Sequence, residues 1–297
     1  MRNKGRKIFF GILIIMSIAL IGIAIFKGPK KTKVSAILYP YNLVSKVENN
    51  DTIDIKLFVS NKNSYFLNKD KITSAYISGI EGKLKLVPIE IVLSDVKMKI
   101  KNEDYYLVHY YFKIDASIDS NYELYLSKAY LYMNFSNEMT TNIYIGSFSY
   151  YKYEESIDSI GITNLKVINE KEGKTGFFGC LIGLRNITNA DILINSIKIL
   201  DENIKNTKCQ VIDEIKDSTK YEDYISSIKP EDANISANGV TYIMLSFDEA
   251  SKLMMPVEEA GLKVDTNVGT YFIENFVFYK QNILNAKDYD FTIYEYD

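Results

Sequence analysis

Thr141–Lys152 reads TNIYIGSFSYYK, and it lies without a gap on GTYFIENFVFYK, Gly269–Lys280. Apolar residues recur at every second position, the period of a β-strand with one buried face. The segments upstream of each copy match in the same order. AYLYMNF (Ala129–Phe135) falls on AGLKVDT (Ala260–Thr266), and YLVHYYFKIDAS (Tyr106–Ser117) falls on TYIMLSFDEAS (Thr241–Ser251). ITSAYI (Ile72–Ile77) falls on INSIKI (Ile194–Ile199), and Asn61 and Asn186 each end the strand before. Short apolar strands resemble one another, so a single match says little. Four in one order, spaced by about 120–135 residues, predict a tandem repeat of antiparallel β-sandwich units.

The alignment also predicts a core. Val108/Ile243, Tyr110/Leu245, Phe112/Phe247, Leu131/Leu262 and Met133/Val264 share one parity and should face inward. The expected layout is all-β: residues 34–154 as one sandwich, 155–281 as its repeat and 282–297 as a C-terminal tail. The boundary falls near Glu154–Ser156. Over residues 34–281 this layout resembles the immunoglobulin-like β-sandwich class, although the B–F cysteine pair and core tryptophan of antibody domains are absent. Between Cys209 and Asn238 the second copy carries a polar insertion with a short helix expected around Tyr221–Ile228. Asp248–Gly261 reads as one or two helical turns between strands. Gly176-Phe177-Phe178-Gly179 reads as a bend entering a strand.

Ahead of the repeat stands an uncharged run of 19 residues, IFFGILIIMSIALIGIAIF, Ile8–Phe26. As a helix it would span roughly 28 Å, close to the hydrocarbon thickness of a bilayer. It exceeds the usual length of a cleaved signal's apolar region, so a retained single-pass anchor is expected. Residues 1–7 then form a cytoplasmic tail and 27–33 a basic linker. Arg2, Lys4, Arg6 and Lys7 precede the run, and Lys27, Lys30, Lys31 and Lys33 follow it. Flanking charge is tied, but the free α-amino group and the large following body favour an extracytoplasmic body at the cell membrane. Richness in Lys, Ile and Asn points to an AT-rich Gram-positive source.

The chain has 35 basic and 38 acidic residues, and eight of the basic ones lie before Val34 with no acid among them. From Val34 onward the body therefore carries a net charge of −11. Phosphate polymers repel a body of that sign, so nucleic acid is not an expected partner. Cys180 and Cys209 are too few to build a cysteine metal site without histidines, and the chain has a single His, His109. They remain a possible disulfide, with two buried thiols as the plainer reading. His109 sits on outward parity, and no Ser-His-Asp set, phosphate-binding loop or zinc motif is present. No cofactor or metal is expected. Adjacent carboxylates such as Glu154/Glu155 point to opposite faces of a strand and do not make an acid–base pair.

Tyrosine is the remaining signal: 24 Tyr, 15 Phe and no Trp. Tyr130, Tyr132 and Tyr144 fall on outward parity of adjacent strands, where the repeat has Gly261, Lys263 and Phe272. Exposed tyrosines suit protein contact, because they offer large area at low rotamer entropy. Cross-strand pairing within the sheet is the structural alternative. Together these features predict a membrane-anchored, non-enzymatic module that docks on another membrane or extracellular protein. A passive stalk and a carboxylate-dependent surface hydrolase are the alternatives.

Overall fold

The computed structural model describes residues 31–36, 38–116, 118, 120–201, 204, 207–229, 233–251, 257–280 and 291–296. The run Ile8–Phe26 lies outside them, as do residues 1–7 and 27–30. No described helix is long and apolar enough to cross a membrane.

The described residues are mostly strand. The first unit holds β1 (Thr32–Ala36), β2 (Tyr39–Lys46), β3 (Thr52–Val59), β4 (Ile72–Ser78), β5 (Lys83–Ile100), β6 (Glu103–Ile114), β7 (Tyr122–Phe135) and β8 (Thr140–Tyr153). The second holds β9 (Ile160–Lys171), β10 (Lys174–Asn186), β11 (Ile192–Leu200) and β12 (Lys208–Ile212). These are followed by a one-turn helix α1 (Glu222–Ile225), β13 (Ile228–Lys229), β14 (Asn234–Ile235), β15 (Val240–Ser251), β16 (Val257–Thr266) and β17 (Gly269–Lys280). A last strand, β18 (Ile293–Tyr296), returns to the first unit.

Strand order makes both units sandwiches. The first is one nine-stranded sheet, β18-β1-β3-β6-β5-β4-β7-β8-β2, folded over at β5. Its halves β1-β3-β6-β5 and β4-β7-β8 have the ABED and CFG order of an immunoglobulin constant-type sandwich. In the second unit the same order appears as β9-β10-β15-β12 and β11-β16-β17, in two separate sheets. β2 adds to β8 in parallel, from Tyr39 opposite Gly146 to Lys46 opposite Tyr153.

The alternating residues fill the two cores. Val108, Tyr110, Phe112, Leu131 and Met133 are buried in the first unit, and Ile243, Leu245, Leu262 and Val264 in the second. The Phe247 side chain lies outside the described residues. Tyr110 hides a polar atom in this core and satisfies it by donating to the Phe66 carbonyl at 2.8 Å. Register links the same matched positions: Leu57 faces Val108 as Ile182 faces Ile243, and Ile77 faces Leu131 as Ile199 faces Leu262.

Four expectations need correction. First, the ungapped match of Thr141–Lys152 on Gly269–Lys280 is two residues out. Leu131 pairs with Ile143, whereas Leu262 pairs with Ile273. A slip of two keeps every side chain on its own face, so periodicity cannot detect it. Second, Asp248–Gly261 is not helical where described: 248–251 continue β15 and 257–261 begin β16. Third, the Gly176–Gly179 bend lies inside β10, as a bulge between Phe177 and Gly179. Gly179 has φ +151°, and a Cβ there would overlap the Leu245 carbonyl oxygen, so only glycine lets β10 lie this close to β15.

The fourth concerns the ends. Thr32 and Lys33, assigned to a linker, begin β1. Ile293–Tyr296, assigned to a tail, forms β18 and pairs with β1 from Ser35 to Thr32. Phe291 meets Phe58 edge-on at 5.9 Å, and Tyr296 packs on Phe66 at 5.2 Å. The Tyr294 and Tyr296 hydroxyls then accept from the backbone N–H groups of Tyr144 (3.1 Å) and Asn142 (3.4 Å) on β8. This closes the first sandwich across its open seam.

The units meet along β2. Its Val44 presses on Gly261 of β16, where an added Cβ would come within 2.6 Å of a Val44 methyl. Val44, Tyr153 and Leu200 form a small buried cluster with Tyr151 and Phe272 against it. Asn42 donates to Asp201 at 3.2 Å within the same joint.

Candidate functional site

The three predicted tyrosines come together on the outer surface of the first unit. Each is half-buried, because strand pleating points it away from the core while its neighbours crowd it. Tyr130 and Tyr144 are directly opposed on β7 and β8, with ring centroids 5.2 Å apart. Tyr132 stacks instead on Tyr76 of β4, at 4.8 Å and 13° between planes. Lys83 places its ammonium 3.5 Å from the Tyr76 ring centroid, a cation–π contact. Burial pushes the Tyr144 hydroxyl above its ordinary pKa, with Tyr130 and Tyr294 adding to the effect.

The surface is therefore a ribbon of four tyrosines across β4, β7 and β8, with Lys83 beside it at the start of β5. Tyr76 and Lys83 were missed from sequence. Tyr76 stood inside a matched segment, but that β4 lies beside β7 is a tertiary fact. The same pairing contributes roughly 0.2–1 kcal/mol per pair to the sheet, so these rings also have a structural role.

The corresponding face of the second unit is occupied. Gly261 lies under Val44, and Phe272 stacks on Tyr153 at 4.4 Å and 6°. By register the counterpart of Tyr144 is Glu274 rather than Phe272, and Glu274 accepts from the Tyr153 hydroxyl at 3.0 Å. The β16–β17 face thus carries the neighbouring sandwich. On the first unit the neighbouring sandwich reaches the far end of β8, where Tyr151 meets Phe272 at 6.1 Å, while Tyr130, Tyr132 and Tyr144 stay half-exposed.

His109 is half-buried on the outer surface of β6. Its Nδ1 lies 2.9 Å from Asp54, which Lys56 also contacts at 3.1 Å. Burial opposes ionisation of Asp54, but the His109 bond and Lys56 outweigh it and hold the carboxyl below its ordinary range. Among the described residues no cluster of His, Cys, Asp and Glu gathers as metal ligands.

A second polar cluster lies inside, near the joint. Lys152 is almost fully buried and ion-paired to Asp51 at 2.5 Å. Its ammonium also donates to the carbonyls of Lys46 and Asn49, both at 2.8 Å. Asp51 accepts from Ser45 (2.8 Å) and Tyr150 (2.6 Å). Burial, then the bond to Asp51, raise the Tyr150 hydroxyl far above its usual pKa. All three ammonium protons have acceptors, so the cluster pins the 46–51 turn and is not a reactive lysine.

In the structure the two candidate disulfide cysteines are not bridged. Cys180 on β10 and Cys209 on β12 both lie opposite Leu245, on either side of β15. Two strand spacings put their Cα atoms roughly 9.5 Å apart, beyond the limit of about 7 Å for a bridge. Both are free thiols, Cys180 buried and Cys209 exposed. Burial pushes Cys180 up to about 12, and crowding by neighbouring protein atoms pushes Cys209, whose side chain still reaches solvent, up to about 11. Accessibility, rather than acidity, then sets the order of labelling. Maleimide should modify Cys209 alone in the native protein and both thiols after denaturation without reductant. Finding fewer than two thiols in denaturant would show a bridge.

No family model and no curated protein matches the chain. Among solved structures, it is similar to a protein of unknown function from Porphyromonas gingivalis W83, at 11% identity and a TM-score of 0.26, covering 83% of this chain and 98% of that one. It is also similar to the D00–D0 domain of Intimin, at 11% identity and a TM-score of 0.21, covering 82% and 98%. A third, BspA_C_mut, has 9% identity and a TM-score of 0.19, covering 84% and 98%. At these scores the likeness carries no weight for function.

Proposed function

We propose that the protein is a non-enzymatic binding module, tethered to the cell membrane by Ile8–Phe26, with its paired sandwiches on the extracytoplasmic side. On this reading the β4–β7–β8 tyrosine ribbon docks another membrane or extracellular protein. The observation that supports it most is the contrast between the two units. The second unit spends this face on the first, while the first holds four half-exposed tyrosines there. Tyrosines offer a partner large apolar area and hydroxyls at its rim, at little cost in rotamer entropy. The body's charge of −11 favours a protein partner over a polyanion.

Tyr130→Ser/Tyr132→Ser tests this. Cross-linking in intact cells followed by detergent extraction should recover a partner with the parent chain and lose it with the variant. A stalk gives a different result, since it tolerates both substitutions. Recovery of the parent body alone, with no cross-linked protein, counts against docking altogether.

A further inference from the structure

The end of the first unit where β1 begins differs in charge from the rest of the body. Lys33 of β1 bonds to Ser60 just past β3, and its ammonium reaches Glu103, at the start of β6, at 2.6 Å. Thr32 pairs with Tyr296 of β18. The Phe66 ring ties in the other layer, 5.2 Å from both Tyr296 and Phe135, where the β7–β8 turn begins. One end of the sandwich thus gathers residues 31–33, 60–71, 97–104, 135–140 and 294–296. With Asp297, next in sequence, these segments hold eight lysines and six acids, a balance of +2. The part of this count that follows Val34 is neutral, so the body's −11 lies wholly elsewhere.

Ion pairing leaves cations over at this end. Glu103 takes Lys33, Asp104 takes Lys97 at 2.8 Å, and Asp70 adjoins Lys69 at 3.9 Å. Among the described residues Lys62, Lys71, Lys99 and Lys101 form no ion pair. Lys62 stands 4.3 Å from the Tyr106 ring centroid, and Lys71 stands 5.8 Å from that of Tyr65, which is 40% exposed. Lysine beside exposed tyrosine suits the headgroup level of a bilayer. The ammonium is drawn to lipid phosphate, and the amphipathic ring sits between hydrocarbon and water.

Chain length brings this end to such a surface. Lys31 lies five residues after Phe26, the last residue of the apolar run. Five residues reach at most about 18 Å. With the run in the bilayer, the end that holds Lys31 can stand no farther than that from the membrane. We propose that this end of the first unit rests on the membrane, with Lys62, Lys71, Lys99 and Lys101 against the phosphates of anionic phospholipids and Tyr65 among the headgroups. The contact depends on the anchoring proposed above and goes beyond it, because a tether alone leaves the sandwich free to tumble. End-on contact keeps the tyrosine ribbon on the sandwich's side, where a neighbouring protein can reach it.

The full chain in lipid vesicles tests the contact. A fluorophore on Asn63→Cys, in a Cys209→Ser background, reads this end. One on Ile80→Cys reads the β4–β5 turn, roughly 25 Å farther along β4. The quencher is a lipid spin-labelled at its headgroup. In vesicles containing phosphatidylglycerol the probe at 63 should be quenched severalfold more than the probe at 80. The difference should shrink on phosphatidylcholine alone and in high salt, which screens exposed charge. Lys62→Gln/Lys71→Gln/Lys99→Gln/Lys101→Gln should shrink it as well. The salt arm needs no lysine variant, so it stands even if the fourfold change unfolds the chain. Equal quenching at the two positions, or quenching at 63 that ignores both lipid charge and salt, overturns the proposal. Flotation with the vesicles reads the anchor separately. A chain that floats without quenching at 63 keeps its anchor and loses the contact, whereas a chain that does not float loses both.

Discussion

A chain ended at residue 290 should be less stable than the full chain by on the order of 5 kcal/mol. Truncation removes β18 from β1, leaving the backbone of Thr32–Ser35 without its outer partner. It also removes Phe291 from Phe58, Tyr296 from Phe66, and Ile293 and Tyr294 from the first core. Each is only partly buried, so each contributes less than the roughly 1.5–3 kcal/mol of a fully buried side chain. The two tyrosine hydroxyls that accept from β8 add a smaller amount, since a typical hydrogen bond is worth about 1 kcal/mol net. Urea denaturation checks the result. A true tail would leave the midpoint unchanged, and that outcome would remove β18 from the fold.

Lys152→Met should cost about 3–5 kcal/mol, the usual penalty for breaking a buried ion pair from one side. Asp51 would keep its Ser45 and Tyr150 donors but lose its counter-charge. The carbonyls of Lys46 and Asn49 would lose their donor as well. The companion change Asp51→Leu in the same chain should recover much of the loss, because the expensive species is the lone charge. Thermal or urea unfolding of the two single variants and the double variant completes the cycle. Additive losses would mean that the pair is not coupled and that the cluster is misread.

The fold was largely legible because strand periodicity is a local property. Val108, Tyr110 and Phe112 alternate in sequence, and the backbone pleat turns that alternation directly into a buried face. Matched segments then carried the core to Ile243, Leu245, Leu262 and Val264 without knowledge of the pairing. The same period-two logic hid the slip of β17, since a shift of two preserves every face. The tyrosine ribbon was half legible. Parity placed Tyr130, Tyr132 and Tyr144 outside, but it could not bring Tyr76 or Lys83 to them. The bulges of β5 were invisible, because LVPIEIVLSDV reads as any apolar strand until its pairing is known.

Sequence by itself determined the all-β character, the inward face of the principal strands, the acidic balance of the body and the absence of a recognisable catalytic motif. Each follows from residue identity and short-range spacing. Tertiary structure decided which strands are neighbours. It therefore decided that the cysteines flank Leu245, that residues 293–296 close the first sandwich, and that Gly261 receives Val44. It also decided that one face of the second unit is occupied while the tyrosine stretch of its counterpart on the first stays half-exposed. Those outcomes depend on contacts between residues far apart in the chain, and the period of a strand does not record which other strand lies beside it.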